Sequence, residues 1–251
     1  MTSGQPPDDP KSYFASVAES YDRLQPILAG PAYEAGLAFV LDLVPHQEQD
    51  AFICVELGCG TGTLTHRVLC KFPRARALAV DSEPAMLDMA RKKLAPHGDR
   101  IEVRQADVLA CELPSCDVVL SSFMFHHVPP ERLEGTLRRI ARGLAPSGCL
   151  VLLDHMTVGP RWSERIGAQN RRLQRGHVAA AIAAGRATQD DIDARWAFKR
   201  KMKEQGQDVE YRHRAEDIME AMRAAGFDEI GLVWLRFGIT ILMAFVAQDA
   251  A

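Results

Sequence analysis

Glu56, Gly58, Gly60 and Gly62 lie within seven residues, in the run Glu56-Leu57-Gly58-Cys59-Gly60-Thr61-Gly62. The three glycines strip side-chain bulk from a loop, so a ligand can reach the backbone. A helix that starts there offers free N–H groups and a positive dipole end. The spacing is G-x-G-x-G. A dinucleotide fingerprint wants G-x-G-x-x-G, and Thr63 follows Gly62, which argues against a nicotinamide-dependent oxidoreductase. Asp81 ends the next apolar run, where an acid accepts hydrogen bonds from both ribose hydroxyls of an adenosine. The alternative role for Asp81 is to cap the helix starting at Pro84, a role Ser82 also suits. Asp107 is placed to accept a bond from an adenine amino group. Met86 offers the ring an apolar face, or else is plain core. His126, His127 and, further on, His155 are candidates for a base, or simply shape a pocket.

These residues need elements to hold them. Residues 51–57 form a short apolar run ending in glycines, the mark of a buried strand. Residues 75–80, 101–104, 117–120 and 149–154 repeat the pattern. Helical stretches fall between them at residues 64–69, 84–94 and 131–144. Such alternation implies a parallel sheet covered on both faces, with the ligand at the strand C-termini. Residues 231–237 and 240–248 read as two more strands, joined too tightly at Gly238 to be anything but antiparallel. The expected fold is therefore α/β: a seven-stranded, doubly wound, mostly parallel sheet with a final antiparallel strand and a helical cap insertion. The expected division is an N-terminal helical lid over residues 1–50, broken at Pro26 and near Gly30, and a cofactor-binding core over 51–154. A helical cap follows over 155–215, then a final helix and strand pair over 216–251.

Composition bounds the rest. The 251 residues carry a net charge of -3, with 47% apolar and 25% charged residues, an ordinary globular balance with no field to recruit nucleic acid or an anionic membrane. The six cysteines include no C-x-x-C pair, so buried free thiols in a reducing cytoplasm are expected and no metal site is. The polar, proline-rich start lacks a signal pattern, and the run 239–247 is too short to span a bilayer. Residues 155–214 concentrate Trp162, Trp196, Phe198 and Tyr211 among arginines and lysines. That suits an anionic or aromatic partner, or else a solvated face or dimer contact.

Val55 to Thr63, Ala79 to Leu87, Gln105 to Val108, Asp117 to His127 and Ala145 to Gly148 together resemble the successive motifs of class I (Rossmann-like) S-adenosylmethionine-dependent methyltransferases. The resemblance implies that Gly58, Cys59 and Gly60 line the methionine moiety, and that Glu56 orients its amino group. It assigns Asp81 and Ser82 to the ribose, Asp107 and Val108 to the adenine, and Ser121 to the neighbourhood of the sulfonium or the amino group. Ser20-Tyr21-Asp22 and Pro31-Ala32-Tyr33 resemble N-terminal lid segments of several subfamilies, carboxy-S-adenosylmethionine synthase among them. Tyr21 and Tyr33 thereby join the expected cofactor site. That synthase's motif lacks the third glycine, which Gly62 supplies here.

The function implied is transfer of the methyl group of S-adenosyl-L-methionine to a small-molecule acceptor by in-line displacement. A methyltransferase of tRNA or another macromolecule is one alternative, and a non-catalytic protein that uses the same fold to bind the cofactor is another. The sulfonium is already an activated leaving group, so the protein needs a base only where the acceptor must lose a proton. A monomer or homodimer is expected, with no membrane and no nucleic-acid partner.

Overall fold

The computed structural model describes residues 12–157, 160–206, 209–236 and 238–247. One seven-stranded sheet organises them. In chain order its strands are β1 (Ile53–Leu57), β2 (Arg76–Asp81), β3 (Ile101–Gln105), β4 (Cys116–Ser122), β5 (Leu144–His155), β6 (Phe227–Arg236) and β7 (Ile239–Val246). In space they run β3-β2-β1-β4-β5-β7-β6. β7 pairs antiparallel with both β5 and β6, and the pairings from β3 through β5 are parallel. The order reverses between β1 and β4, which opens a crevice at the carboxyl ends of these strands.

Side-chain alternation assigns the two faces. Val55 and Leu57 point with Val80, Val119 and Leu152 toward helices α5 (Pro130–Gly143) and α8 (Ala215–Ala224), meeting Leu137, Ile140, Ile218 and Met222. Cys54, Val118, Leu120 and Val151 point the other way, toward α2 (Pro31–Leu43) and α3 (Thr63–Lys71), meeting Leu37, Val40, Leu64 and Val68. The central strands are buried on both faces, which is why they read as unbroken apolar runs. Glu56 falls by the same alternation on the α3 face, and it is the polar exception in β1. Helix α4 (Pro84–Leu94) covers β2 through Leu87, Ala90 and Leu94.

Helix α1 (Ser12–Ala29) passes through Pro26, where a break was expected. The lost N–H is tolerated because Leu24, Ile27 and Leu28 on either side are buried against Ala181 of α6 (Pro160–Ala183) and Ile192 of α7 (Gln189–Glu204). The chain turns instead at Gly30, whose φ of 84° is open to glycine, and α1 and α2 meet at a bend of 103°. Strand boundaries also move. β5 begins at Leu144 rather than 149, since Cys116 pairs with Leu144 ahead of the register shift. The expected strand ends at Phe237 and Gln248 lie outside the described residues. Among the described residues no single helix is long and apolar enough to cross a membrane.

Candidate functional site

The crevice at the switch point is a cavity of about 430 Å³. Its floor is the turn from β1 into α3. Gly58, Gly60 and Gly62 all have positive φ, at 71°, 53° and 78°. Their surroundings separate their roles. A Cβ on Gly58 would strike the Met124 side chain at 2.4 Å, and one on Gly62 would meet Leu94 at 2.9 Å. A Cβ on Gly60 would meet nothing within 4 Å, and Gly60 lines the cavity. Gly58 and Gly62 thus let the turn pack, while Gly60 keeps the cavity side of the loop bare for a ligand.

Asp81 anchors this loop from the end of β2. Its Oδ2 accepts from Gly60 N at 2.8 Å and its Oδ1 from Glu83 N at 2.9 Å. Each oxygen keeps a lone pair for a further donor. Burial raises the Asp81 carboxyl above its usual range, although the backbone donors pull the other way. The helix cap at α4 is Glu83, which accepts from Ala85 N at 3.2 Å. Asp81 and Ser82 therefore do not fill the capping role considered for them.

Glu56 lies deeper. It is 2% exposed, and its Oε2 accepts from Thr65 N at 2.8 Å and from the Thr65 hydroxyl. Ser122 Oγ lies 3.4 Å from its other oxygen. Burial pushes the Glu56 carboxyl up to about 7 against the pull of these donors. Asp107 follows β3 and accepts from Leu109 N at 2.9 Å, a turn that presents Asp107, Val108 and Leu109 to the cavity.

Of the residues expected to hold the cofactor, Tyr21, Tyr33, Glu56, Gly58, Cys59, Gly60, Asp81, Ser82, Met86, Asp107 and Val108 line this one cavity. Gly62 sits beneath it as the residue before α3. Ser121 is turned away, its hydroxyl donating to Leu57 O at 3.0 Å, and its neighbour Ser122 lines the cavity instead, because alternation along β4 exposes only one of the pair. Met86 is 2% exposed and packs with Val17, Ala18 and Tyr21, so its core and lining roles coincide.

The two histidines part company. His127 lines the cavity, and its Nδ1 lies 2.9 Å from Val209 O, which places the ring proton on that nitrogen. His126 lies outside the lining. Its Nδ1 donates to Asp154 Oδ1 at 2.6 Å, and its backbone N donates to Asp154 Oδ2 at 3.0 Å. Burial works against a charge on His126, yet the Asp154 carboxylate outweighs it and raises the imidazole above its usual value. His155 also lies outside the cavity, and burial lowers it.

Several lining residues carried no isolated signal in the sequence. Phe123 stacks on Tyr33 with centroids 5.1 Å apart, and its φ of 55° is rare for a residue with a Cβ. Leu37, Met124, Val128 and Val209 complete the apolar wall. Val209 is remote in sequence and is brought in by the chain leaving α7. Elsewhere, His66, Cys70 and His97 offer ligand atoms within 4.8 Å of one another. Arg100 approaches His97 Nδ1 at 3.1 Å and His97 Nε2 lies 3.0 Å from His66 Nδ1, so the group reads as a hydrogen-bonded chain.

Residues 54–148 match a family described as a methyltransferase domain. The carboxy-S-adenosyl-L-methionine synthase of Citrifermentans bemidjiense is 28% identical over 153 residues, 59% of each chain. The trans-aconitate 2-methyltransferase of Methylobacterium nodulans is 34% identical over 99 residues, 39% of this chain and 36% of that one. The chain spans between 36% and 60% of the length of these and the other curated relatives first matched. Among solved structures, an O-methyltransferase family protein from Burkholderia thailandensis aligns over 96% of this chain and 60% of its own, with a TM-score of 0.62 and 17% identity. The bare face of Gly60 and the acids Glu56, Asp81 and Asp107 line one cavity and offer the open backbone and hydrogen-bond acceptors that S-adenosyl-L-methionine needs. Residues 54–148 are therefore a methyltransferase domain of the class I kind, with S-adenosyl-L-methionine as its cofactor.

Proposed function

We propose that the chain transfers the methyl group of S-adenosyl-L-methionine to a small-molecule acceptor. The observation that carries this reading is the composition of the cavity. One end is the glycine loop with its acids, and the other is walled by Tyr21, Tyr33, Phe123, Met124, His127 and Val209. An aromatic wall limits water and aligns a compact acceptor with the cofactor's methyl group. The cofactor, when bound, supplies an activated methyl group on a positive sulfur. Glu56 would hold its ammonium, Asp81 its ribose, and the Asp107–Leu109 turn its adenine. His127 would take a proton from an acceptor that must lose one. Tyr21 and Tyr33 come from α1 and α2, and Val209 from the segment after α7. The N-terminal helices and the 155–215 region thus act in this reading as lid and cap over the core.

The O-methyltransferase names of the solved neighbours support the small-molecule assignment. Among the described residues the cavity lining holds four acids, Glu56, Asp81, Glu83 and Asp107, and no lysine or arginine, so a phosphate backbone would be repelled inside it. The test is incubation with methyl-labelled cofactor and a small-metabolite extract, followed by mass spectrometry of both products. Label in a small molecule together with S-adenosylhomocysteine supports methyl transfer. A cofactor altered in mass but still a sulfonium would replace it with a cofactor-modifying reaction, and label confined to RNA or protein would replace it with a macromolecular acceptor.

A further inference from the structure

A second cavity, of about 190 Å³, lies beside the first, where the α1–α2 junction meets α6 and α7. Its polar lining differs in sign from that of the cofactor cavity. Arg195, Lys199 and His155 face it, with the amides of Gln25, Asn170 and Gln174, and among the described residues no aspartate or glutamate does. Arg195 and Lys199 stand four residues apart on α7, hence on one face of that helix. Arg195 is 7% exposed, so its charge is held in a low-dielectric setting, where it acts strongly on a nearby anion. Lys199 also pairs with Glu210 at 2.8 Å. Asp154, adjacent to His155, is occupied by His126 and by two backbone N–H groups and does not line the cavity.

The two cavities adjoin through aromatic side chains. Phe123, in the first, lies 5.2 Å from the ring of His155, in the second. Tyr21, in the first, lies under the Arg195 guanidinium at 5.8 Å. Ala32 lines one cavity and Tyr33, the next residue, lines the other. A volume of 190 Å³ is small for a whole ligand, since pockets for complete small molecules run to roughly 300–1,000 Å³. It suits one end of a ligand whose remainder lies elsewhere.

We propose that this second cavity is an anion subsite, in which Arg195, assisted by Lys199 and by the amides of Gln25, Asn170 and Gln174, holds a carboxylate or phosphate of the acceptor while the acceptor's uncharged end reaches the methyl group past Tyr33 and Phe123. The assignment to the acceptor rests on the methyl-transfer reading; the anion binding itself does not. The separation is chemically sensible. An anionic group among the four acids of the cofactor cavity would be repelled, whereas here it meets a planar donor fork matched to oxyanions.

The test uses benzoate, phenyl phosphate and neutral benzamide as probes on the full chain saturated with S-adenosylhomocysteine. Trp196 lines the second cavity, so its fluorescence reports occupancy, and W196F identifies the signal. Benzoate or phenyl phosphate should bind on the order of 10-fold or more tightly than benzamide, the value of a charge-assisted contact. The tighter of the two anions names the source as a carboxylate or a phosphate. R195Q should abolish the preference. N170D, which adds a negative charge with no change of size, should do the same and serves if R195Q fails to fold. Calorimetry should find S-adenosylhomocysteine affinity unchanged in both. Equal binding of all three probes to a protein that binds S-adenosylhomocysteine overturns the subsite and leaves the methyl-transfer reading standing. Loss of S-adenosylhomocysteine binding in the wild type overturns that reading instead, while the probe titrations without it still report the cavity.

Discussion

Lys93 Nζ lies 2.7 Å from Asp22 Oδ2, so a lysine of α4 grips the first helix at the residue next to Tyr21. The same ammonium donates to Thr63 Oγ1 at 2.7 Å and to Thr61 Oγ1 at 3.1 Å, joining α1, α4 and the glycine loop at the rim of the cofactor cavity. A half-exposed pair contributes about 0–1 kcal/mol to stability. Its larger effect is to hold Tyr21 over the cavity. K93M should therefore raise the cofactor dissociation constant by roughly five-fold, equivalent to about 1 kcal/mol, with little change in melting temperature. Isothermal titration with S-adenosylhomocysteine reads the first and calorimetric melting the second. Unchanged affinity in K93M would show that the rim contact does not position the lid.

Two glycines of one loop should fail differently. In G60A the added methyl meets no protein atom, so the cost to folding is the left-handed φ alone, about 1 kcal/mol. Cofactor binding should nevertheless be largely lost, because the methyl projects into the bare side of the loop. In G58A the methyl collides with Met124, and overpacking adds about 1–3 kcal/mol to the same φ penalty. Urea denaturation and cofactor titration of both proteins check the contrast. A G60A protein that binds the cofactor normally would remove this loop from the site.

How much of this was legible beforehand depends on the range of the interactions. β1, the glycine turn and Asp81 were readable because they are local: a buried strand, a positive-φ turn and an acid at a strand end leave signatures within a few residues. The antiparallel pair β6–β7 was readable because a connection at Gly238 permits nothing else. The lost break at Pro26 was not, since it depends on contacts between Leu24 and Ile27 in α1 and Ala181 far along the chain. Ser121 was placed near the sulfonium or amino group and Ser122 was passed over because a one-residue step in a strand reverses the face, and nothing local fixes which face the crevice takes. Phe123 and Val209 enter the cavity through tertiary packing alone. The side chain of Trp162, expected in the cap, lies outside the described residues.

Glu56 gives a pH prediction of definite sign. Its folded value, about 7, stands above the ordinary 4.5, so the folded state holds a proton that the unfolded state has released. Stability should fall as pH rises from 4.5 to about 7, by about 3 kcal/mol over that window, and then level off. E56Q should lack this slope. If the ammonium of the cofactor meets Glu56, binding near neutral pH should release about half a proton from the carboxyl, by titration of a group with a value near 7. Calorimetry in buffers of different ionisation enthalpy measures that release. Absence of release in the wild type, or an equal release in E56Q, would place the ammonium elsewhere.

His126 and His127 are adjacent, with ring centroids 4.1 Å apart, and should nonetheless separate cleanly by experiment. His127 faces the cavity with its proton held on Nδ1 by Val209 O, so Nε2 is the basic nitrogen. For an acceptor that must lose a proton, H127A should lower kcat by on the order of 100-fold or more while leaving S-adenosylhomocysteine affinity intact. His126 is instead paired with Asp154, which is 1% exposed. Burial opposes the charge on Asp154, but His126 outweighs it and holds that carboxyl below its usual 3.8. The imidazole's raised value means its contribution is complete below the ordinary 6.5 and is lost as pH rises through the folded value. The carboxylate's contribution is complete above 3.8 and is lost as pH falls through its own folded value. The stability gap between wild type and H126Q should therefore be widest near pH 5 and should narrow in alkaline solution. Urea denaturation across that range gives the profile. A kcat loss in H126Q as large as in H127A, at a pH where both proteins are fully folded, would assign the proton transfer to the buried pair and not to His127.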